Sequence, residues 1–268
     1  MKKLLGIVVL LMPMLAMGQQ AKIDGTWKID LDKARLDSKP RVFELKGGMF
    51  SCMTCDPKIT IAADGQDHAI TGSPYMDSES AKVVDPNSVE VVGKKDGKVT
   101  FRETLTVSSD GKMMTENYEG HPVASSEPVT ATGMYSRVGE PETGAGAISG
   151  SWKLDKWESA SANTLTFVYA SNGNDLTYKA NTGESYTAKL DGKDYAFHGD
   201  PGTTAVEVKR VDDHTIQETY KRGNEVVGMA KMTISPDAKS LTIVSQDLRR
   251  GTTDTWIAEK QGETEAEK

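Results

Sequence analysis

In the second half of the chain, apolar side chains fall at alternate positions over short runs. Leu165, Phe167 and Tyr169 alternate with polar or smaller neighbours, as do Leu176, Tyr178 and Ala180, then Tyr186, Ala188 and Leu190. Val206 and Val208 alternate with Glu207 and Lys209, and Ala230, Met232 and Ile234 with Lys231 and Thr233. A period of two turns one face of a strand to a core and the other to water, the habit of antiparallel sheets. The runs are separated by "SNGND", "NTGE", "LDGKD", "VDDHT", "KRGNE" and "SPDAK". These stretches supply the Gly, Asn and Asp that tight hairpins need. No helical period is sustained, although a short turn of helix could form at "DKARLD", Asp32 to Asp37.

The pattern occurs twice. "IDGTWKIDLDK" from Ile23 begins like "ISGSWKLDKWE" from Ile148, at an offset of 125 residues. Further in, "ADGQDHAITGSP" from Ala63 matches "LDGKDYAFHGDP" from Leu190, and "TVSSDGKMMT" from Thr106 matches "TISPDAKSLT" from Thr233, both at an offset of 127. About 16 of 55 positions in that stretch are identical, the level of an old duplication. Two modules are expected, 19–138 and 148–261, joined by the polar, glycine-rich linker "GEPETGAGA", 139–147, with a frayed tail over 262–268. Each module would hold roughly eight to ten short strands in a meander. Closure into a small barrel hides the apolar face and removes exposed edges. The expected fold class is therefore all-β, two tandem antiparallel meander barrels, with β-sandwiches as the alternative.

The N-terminus sets the compartment. Lys2 and Lys3 precede the apolar run "LLGIVVLLMPMLA", and Ala16 and Gly18 are the small residues of a cleavage site before Gln19. Residues 1–18 read as a signal peptide, which makes the mature protein periplasmic or secreted. The rest of the chain has no second long apolar run, so no membrane span is expected. Loss of the two leader lysines takes the formal net charge from −7 to −9. An acidic chain with no dense basic stretch offers no electrostatic footprint for nucleic acid. A protein partner is not identifiable from the sequence.

Each copy opens with Gly-x-Trp on its first strand, Gly25 and Trp27, then Gly150 and Trp152. This resembles the first signature of the lipocalins, and the chain is similar to lipocalin-like (calycin-type) exported bacterial proteins of unknown function. The resemblance implies that Trp27 and Trp152 plug barrel ends. It also implies a late arginine covering the tryptophan, which Arg137 in "YSRVG" matches in the first copy; "WIAEKQ" in the second has no arginine there.

The cysteines stand together as Cys52 and Cys55 in "FSCMTCDP". A thioredoxin-like centre wants its first cysteine at a helix N-terminus, and a zinc site wants further thiolate or imidazole ligands. In an exported protein a local disulfide between Cys52 and Cys55 is the favoured reading, with metal and redox roles as the alternatives. His68, His121, His198 and His214 form no close pair, and no nucleophile elbow, triad or paired acidic motif stands out. No catalytic residue, metal ligand or cofactor is therefore assigned. Phe167, Tyr169, Tyr178, Tyr186, Tyr195 and Phe197 fall on inferred inward faces. They either fill a core or line a cup for a small apolar or amphipathic molecule. The leading expectation is a non-catalytic exported binder. The alternatives are an envelope structural or interaction module with filled barrels, and an exported barrel isomerase or hydrolase.

Overall fold

The computed structural model describes residues 23–37 and 39–262. The proposed leader and its cleavage point before Gln19 lie outside the described residues, as does the tail beyond residue 262. The first copy forms β1 (Gly25–Asp37), β2 (Arg41–Lys46), β3 (Met49–Cys52), β4 (Ile59–Ala62), β5 (His68–Ala69), β6 (Ser78–Asp85), β7 (Ser88–Lys95), β8 (Lys98–Val107), β9 (Met113–Gly120) and β10 (Val129–Val138). The second forms β11 (Gly150–Ala160), the one-turn helix α1 (Ala162–Leu165), β12 (Thr166–Asn172), β13 (Asp175–Ala180), β14 (Ser185–Lys189), β15 (Asp191–Ala196), β16 (Ala205–Arg210), β17 (Thr215–Arg222), β18 (Glu225–Ile234), β19 (Ser240–Asp247) and β20 (Thr252–Lys260). Among the described residues no helix is long and apolar enough to cross a membrane. The stretch "DKARLD" is strand: it lies in β1, whose pairing with β20 shifts register between Asp30 and Arg35. Such a bulge explains why its apolar period reads irregularly.

All pairings are antiparallel, and the strands form two sheets of ten. Each sheet curls into a nearly closed barrel rather than half of a sandwich. In the first, Gly65 N–H donates to Ala81 O, and Asp64 bridges to Lys82, across the gap between the sheet ends. In the second, Ser185 and His198 exchange backbone hydrogen bonds.

The sheets do not follow the two copies. The first barrel runs β4-β3-β2-β11-β10-β9-β8-β7-β6-β5 and the second β14-β13-β12-β1-β20-β19-β18-β17-β16-β15. The opening strand of each copy is thus built into the barrel of the other. Trp27 pairs with Phe167 and Lys260, and Trp152 with Arg41 and Arg137. This corrects the expectation that each copy contains its own full strand set. The cause is local: 139–147 is a hairpin loop that lets β11 turn back and pair directly with β10, Val138 opposite Ser151. Consecutive strands pair when the connection is short. The chain crosses between barrels elsewhere, from β1 to β2 and from β11 through α1 to β12. The second crossing is tied back by Ser161 N–H to Thr130 O and by Asn163 Nδ2 to Pro128 O, 3.1 Å.

The barrels touch near these crossings. A Cβ at Gly183, where φ is +101°, would lie 2.5 Å from Ala124 O, so the close approach needs glycine there. Gly202 likewise leaves room for the Tyr75 ring. Inside, the alternation appears as expected: Val206, Val208, Ala230, Met232 and Ile234 are buried. Two separate cores form, one around Phe43, Phe50, Leu105, Met114 and Trp152, the other around Trp27, Tyr169, Leu176, Met232 and Leu241.

Candidate functional site

The barrel ends are built alike. Trp27 Nε1 donates to Ile23 O and Trp152 Nε1 to Ile148 O, each at 2.8 Å, and both rings are fully buried. The Arg137 guanidinium lies 4.1 Å from the Trp152 ring centroid and donates to the carbonyls of Gly111, Ala147 and Ser149. Because of the strand exchange, Arg137 covers the tryptophan of the second copy, not Trp27 of its own. The corresponding cation over Trp27 is Lys260, 5.5 Å from the ring. "WIAEKQ" therefore does carry the covering residue, as a lysine. A cation over an aromatic face is favourable with either side chain, but the flat guanidinium can lie on the ring while its spread N–H groups bond carbonyls around it, which the compact ammonium cannot do.

Cys52 and Cys55 are disulfide-bonded, with Cα atoms 5.5 Å apart. Register identifies the equivalent position in the other barrel. Gly150 stands opposite Phe43, which stands opposite Cys52; Gly25 stands opposite Tyr169, which stands opposite Tyr178. Cys52 thus occupies the place that Tyr178 takes in the second barrel.

In that barrel the aromatic residues join in one row. Centroid separations are 5.7 Å for Phe167–Tyr169, 5.3 Å for Tyr169–Tyr178, 5.5 Å for Tyr178–Tyr186, 6.1 Å for Tyr186–Phe197 and 5.9 Å for Phe197–Tyr220. These are ring-on-ring contacts within the normal range for aromatic packing. Tyr195 packs at the edge of the same core, but its hydroxyl turns to Asp191 at 3.2 Å. The row meets at Glu218, which is 1% exposed. Tyr169 Oη donates to Glu218 Oε1 at 2.9 Å, Tyr186 Oη to the same oxygen, and Tyr220 Oη to Oε2. Burial pushes the Glu218 carboxyl above its ordinary value, against the pull of the three hydroxyl donors.

Beneath this network lies a cavity of about 100 Å³. Its floor is Ile23, Leu176, Ile216, Met232 and Ile234, and its lip carries Arg210, Asp212, Asp213 and His214. Met232 is the partition: its Sδ lies 2.9 Å from Tyr169 Oη on the far side. The six residues proposed as a ligand lining are therefore brought together, apart from Tyr195, but they do not line this cavity.

The first barrel holds a different centre. Arg41 Nη1 lies 2.8 Å from Glu116 Oε1, and Nη2 lies 3.4 Å from both Glu103 oxygens. Tyr135 Oη donates to Glu116 Oε2. Burial raises Glu103 to about 8, and Glu116 beside it adds to the rise. Glu116, against its own burial, is held below its ordinary value by the Arg41 charge. The registers relate the two centres: Val91 faces Glu103 across one pair of strands, as Glu218 faces Ala230 in the other barrel.

Sequence reasoning missed Glu79, Glu103, Glu116 and Glu218. The signal was present. Glu218 shares the phase of Ile216 and Tyr220, and Glu103 that of Leu105 and Val107, where a polar residue breaks the inward pattern. No family model matches the chain and no curated protein matches it, so two nearly closed ten-stranded barrels in tandem stand without a family assignment.

Proposed function

We propose that the protein is an exported, non-catalytic, lipocalin-like binder that holds a small amphipathic molecule in its second barrel. The observation that carries this reading is the 100 Å³ cavity with an apolar floor and a charged lip. Binding sites are typically apolar hollows with a few polar groups that fix orientation. The size narrows the ligand. Apolar cavities of about 150 Å³ take up benzene, and this one is smaller, so it suits a short branched alkyl group or the edge of a single ring, with a polar end at Asp212 and His214. A lipid chain is too large. Export is supported by the Cys52–Cys55 bond, since such bonds persist in oxidising compartments.

A filled-barrel envelope module is the second reading, favoured by the ring row closing on Glu218. One titration separates the two. With methionine methyls labelled for NMR, p-cresol is expected to shift the Met232 resonance saturably, and Ile216→Phe, which fills the cavity, to abolish the shift. A Met232 signal that stays in place at millimolar p-cresol sinks the binding reading and leaves the filled barrel. Export has its own check: protein recovered from the cell envelope is expected to begin at Gln19, and an N-terminus still at Met1 would refute it.

A further inference from the structure

The end of the second barrel that holds the cavity differs from the matching end of the first in a few residues. Counted from the matched residues Phe43 and Tyr169, Leu45 stands opposite Phe50 in the first barrel and Ser171 opposite Leu176 in the second. Ser171 and Leu176 both line the cavity. In the first barrel Phe50 is buried, Leu45 packs against the core, and Gly146 of the 139–147 loop donates its N–H to Leu45 O. The smaller pair leaves apolar space at an end that the first barrel fills with a leucine and a phenylalanine.

The lip differs too. Val206 and Val208 of β16 are fully buried, and Arg210 follows them in the same inward phase at the end of the strand. Arg210 pairs with Ile216, as Val83 pairs with Val89 in the first barrel. The turn that follows carries Asp213 where the first copy has Pro86. A valine and a proline serve the same turn in the first barrel, so the fold requires neither charge. Asp212 is engaged, since its Oδ1 accepts the His214 N–H at 2.9 Å. Arg210 and Asp213 make no side-chain hydrogen bond or ion pair among the described residues, although both line the cavity. Two opposite charges thus stand open beside one apolar floor.

We propose that the cavity takes a free aliphatic α-amino acid, leucine or valine in size. Its branched side chain packs on Ile216, Met232 and Ile234, its carboxylate meets Arg210 and its ammonium group meets Asp213. Such a molecule carries a short branched alkyl group and both charges on one carbon, the combination that floor and lip offer together. Arginine suits the carboxylate because its fork gives two parallel charged hydrogen bonds. An amine alone brings a like charge to Arg210, and a carboxylate alone brings one to Asp213, which disfavours both. The assignment names the ligand of the binding site proposed for this cavity and rests on it.

The test titrates the full, disulfide-bonded protein with L-leucine, leucinamide, N-acetylleucine and isopentanol, read at the Met232 methyl resonance. L-Leucine is expected to shift it saturably. Leucinamide lacks the carboxylate and N-acetylleucine the ammonium group, and each is expected to bind about tenfold more weakly or worse. L-Alanine, with less apolar surface to bury, is expected to be weaker by a similar factor. Arg210→Gln is expected to bring L-leucine down to the level of leucinamide without weakening leucinamide, and Asp213→Asn to do the same against N-acetylleucine. Both positions are exposed, so both variants are expected to melt with the parent. Ser171→Leu, which installs the leucine of the first barrel at the mouth, is expected to weaken L-leucine and isopentanol alike. If isopentanol or p-cresol shifts Met232 while L-leucine binds no more tightly than isopentanol, the amino-acid assignment falls and the cavity remains a binding site. If no ligand shifts it at millimolar concentration, both fall. Unchanged L-leucine affinity in Arg210→Gln and Asp213→Asn also overturns the assignment.

Discussion

A chain cut once within 139–147 will stay one particle under native conditions, and the two halves produced separately will not each give a folded monomer. The cut severs a hairpin loop, not the connection between barrels. β11 remains paired with β10 and β2, and β1 with β12 and β20. Either half alone lacks one interior strand of its barrel. For the first half that means unpaired backbone on β2 and β10 and the loss of Trp152, which is fully buried. Truncating one buried tryptophan costs about 3–5 kcal/mol. A whole strand costs more, against a total stability of about 5–15 kcal/mol. A half that recovers its fold should do so as a dimer, by lending its first strand to a second copy. Native mass spectrometry of the nicked chain and near-ultraviolet dichroism of the halves decide the matter. Two monomeric halves with native-like spectra would show that the strands are not exchanged.

The second large effect is on stability against pH. Thermal stability will fall as pH rises from about 5 to 8 and then level off. Glu79 in the folded barrel is raised to about 7 and Glu103 to about 8, whereas an unfolded chain releases these protons near pH 4.3. Between those limits the folded state binds more protons than the unfolded one, so stability declines with rising pH. Glu218, also raised by burial, acts in the same direction. Glu116 and the exposed aspartates Asp110, Asp212 and Asp237 are lowered, so their contributions are lost only in acid, below about pH 4. Maximum stability therefore falls near pH 5. The Glu79 contribution is on the order of 3 kcal/mol, enough to move the melting temperature by roughly 10 °C in a chain this long. Glu79→Gln should flatten the profile and melt higher than the parent at pH 8. A profile that rises across this window would refute the protonation scheme.

Some of this molecule is legible in residue order alone. Alternation at Val206–Val208 and Ala230–Ile234, with turn residues between, determines an antiparallel all-β chain, because a period of two can bury only one face of a strand. The repeated Gly-x-Trp openings determine that two similar barrels form, and "CMTC" brings two sulfurs within reach of each other with little help from the rest of the fold. These features depend on neighbours a few residues apart.

The strand exchange is of another kind. β1 could complete either barrel, since Gly25–Trp27 and Gly150–Trp152 carry the same motif, and sequence identity does not choose between equivalent partners. The short 139–147 hairpin and the contact of the two barrels choose. The same holds for Arg137, whose identity is visible but whose tryptophan is not. Glu218 and Glu79 look like ordinary surface acids on strands until closure of the barrel turns their faces inward. Their chemistry follows from that: removal from water raises their proton affinity, and whether Tyr169 and Tyr186 join the neighbouring Tyr220 on the acid, or little stands opposite it, is decided by strands more than a dozen residues away.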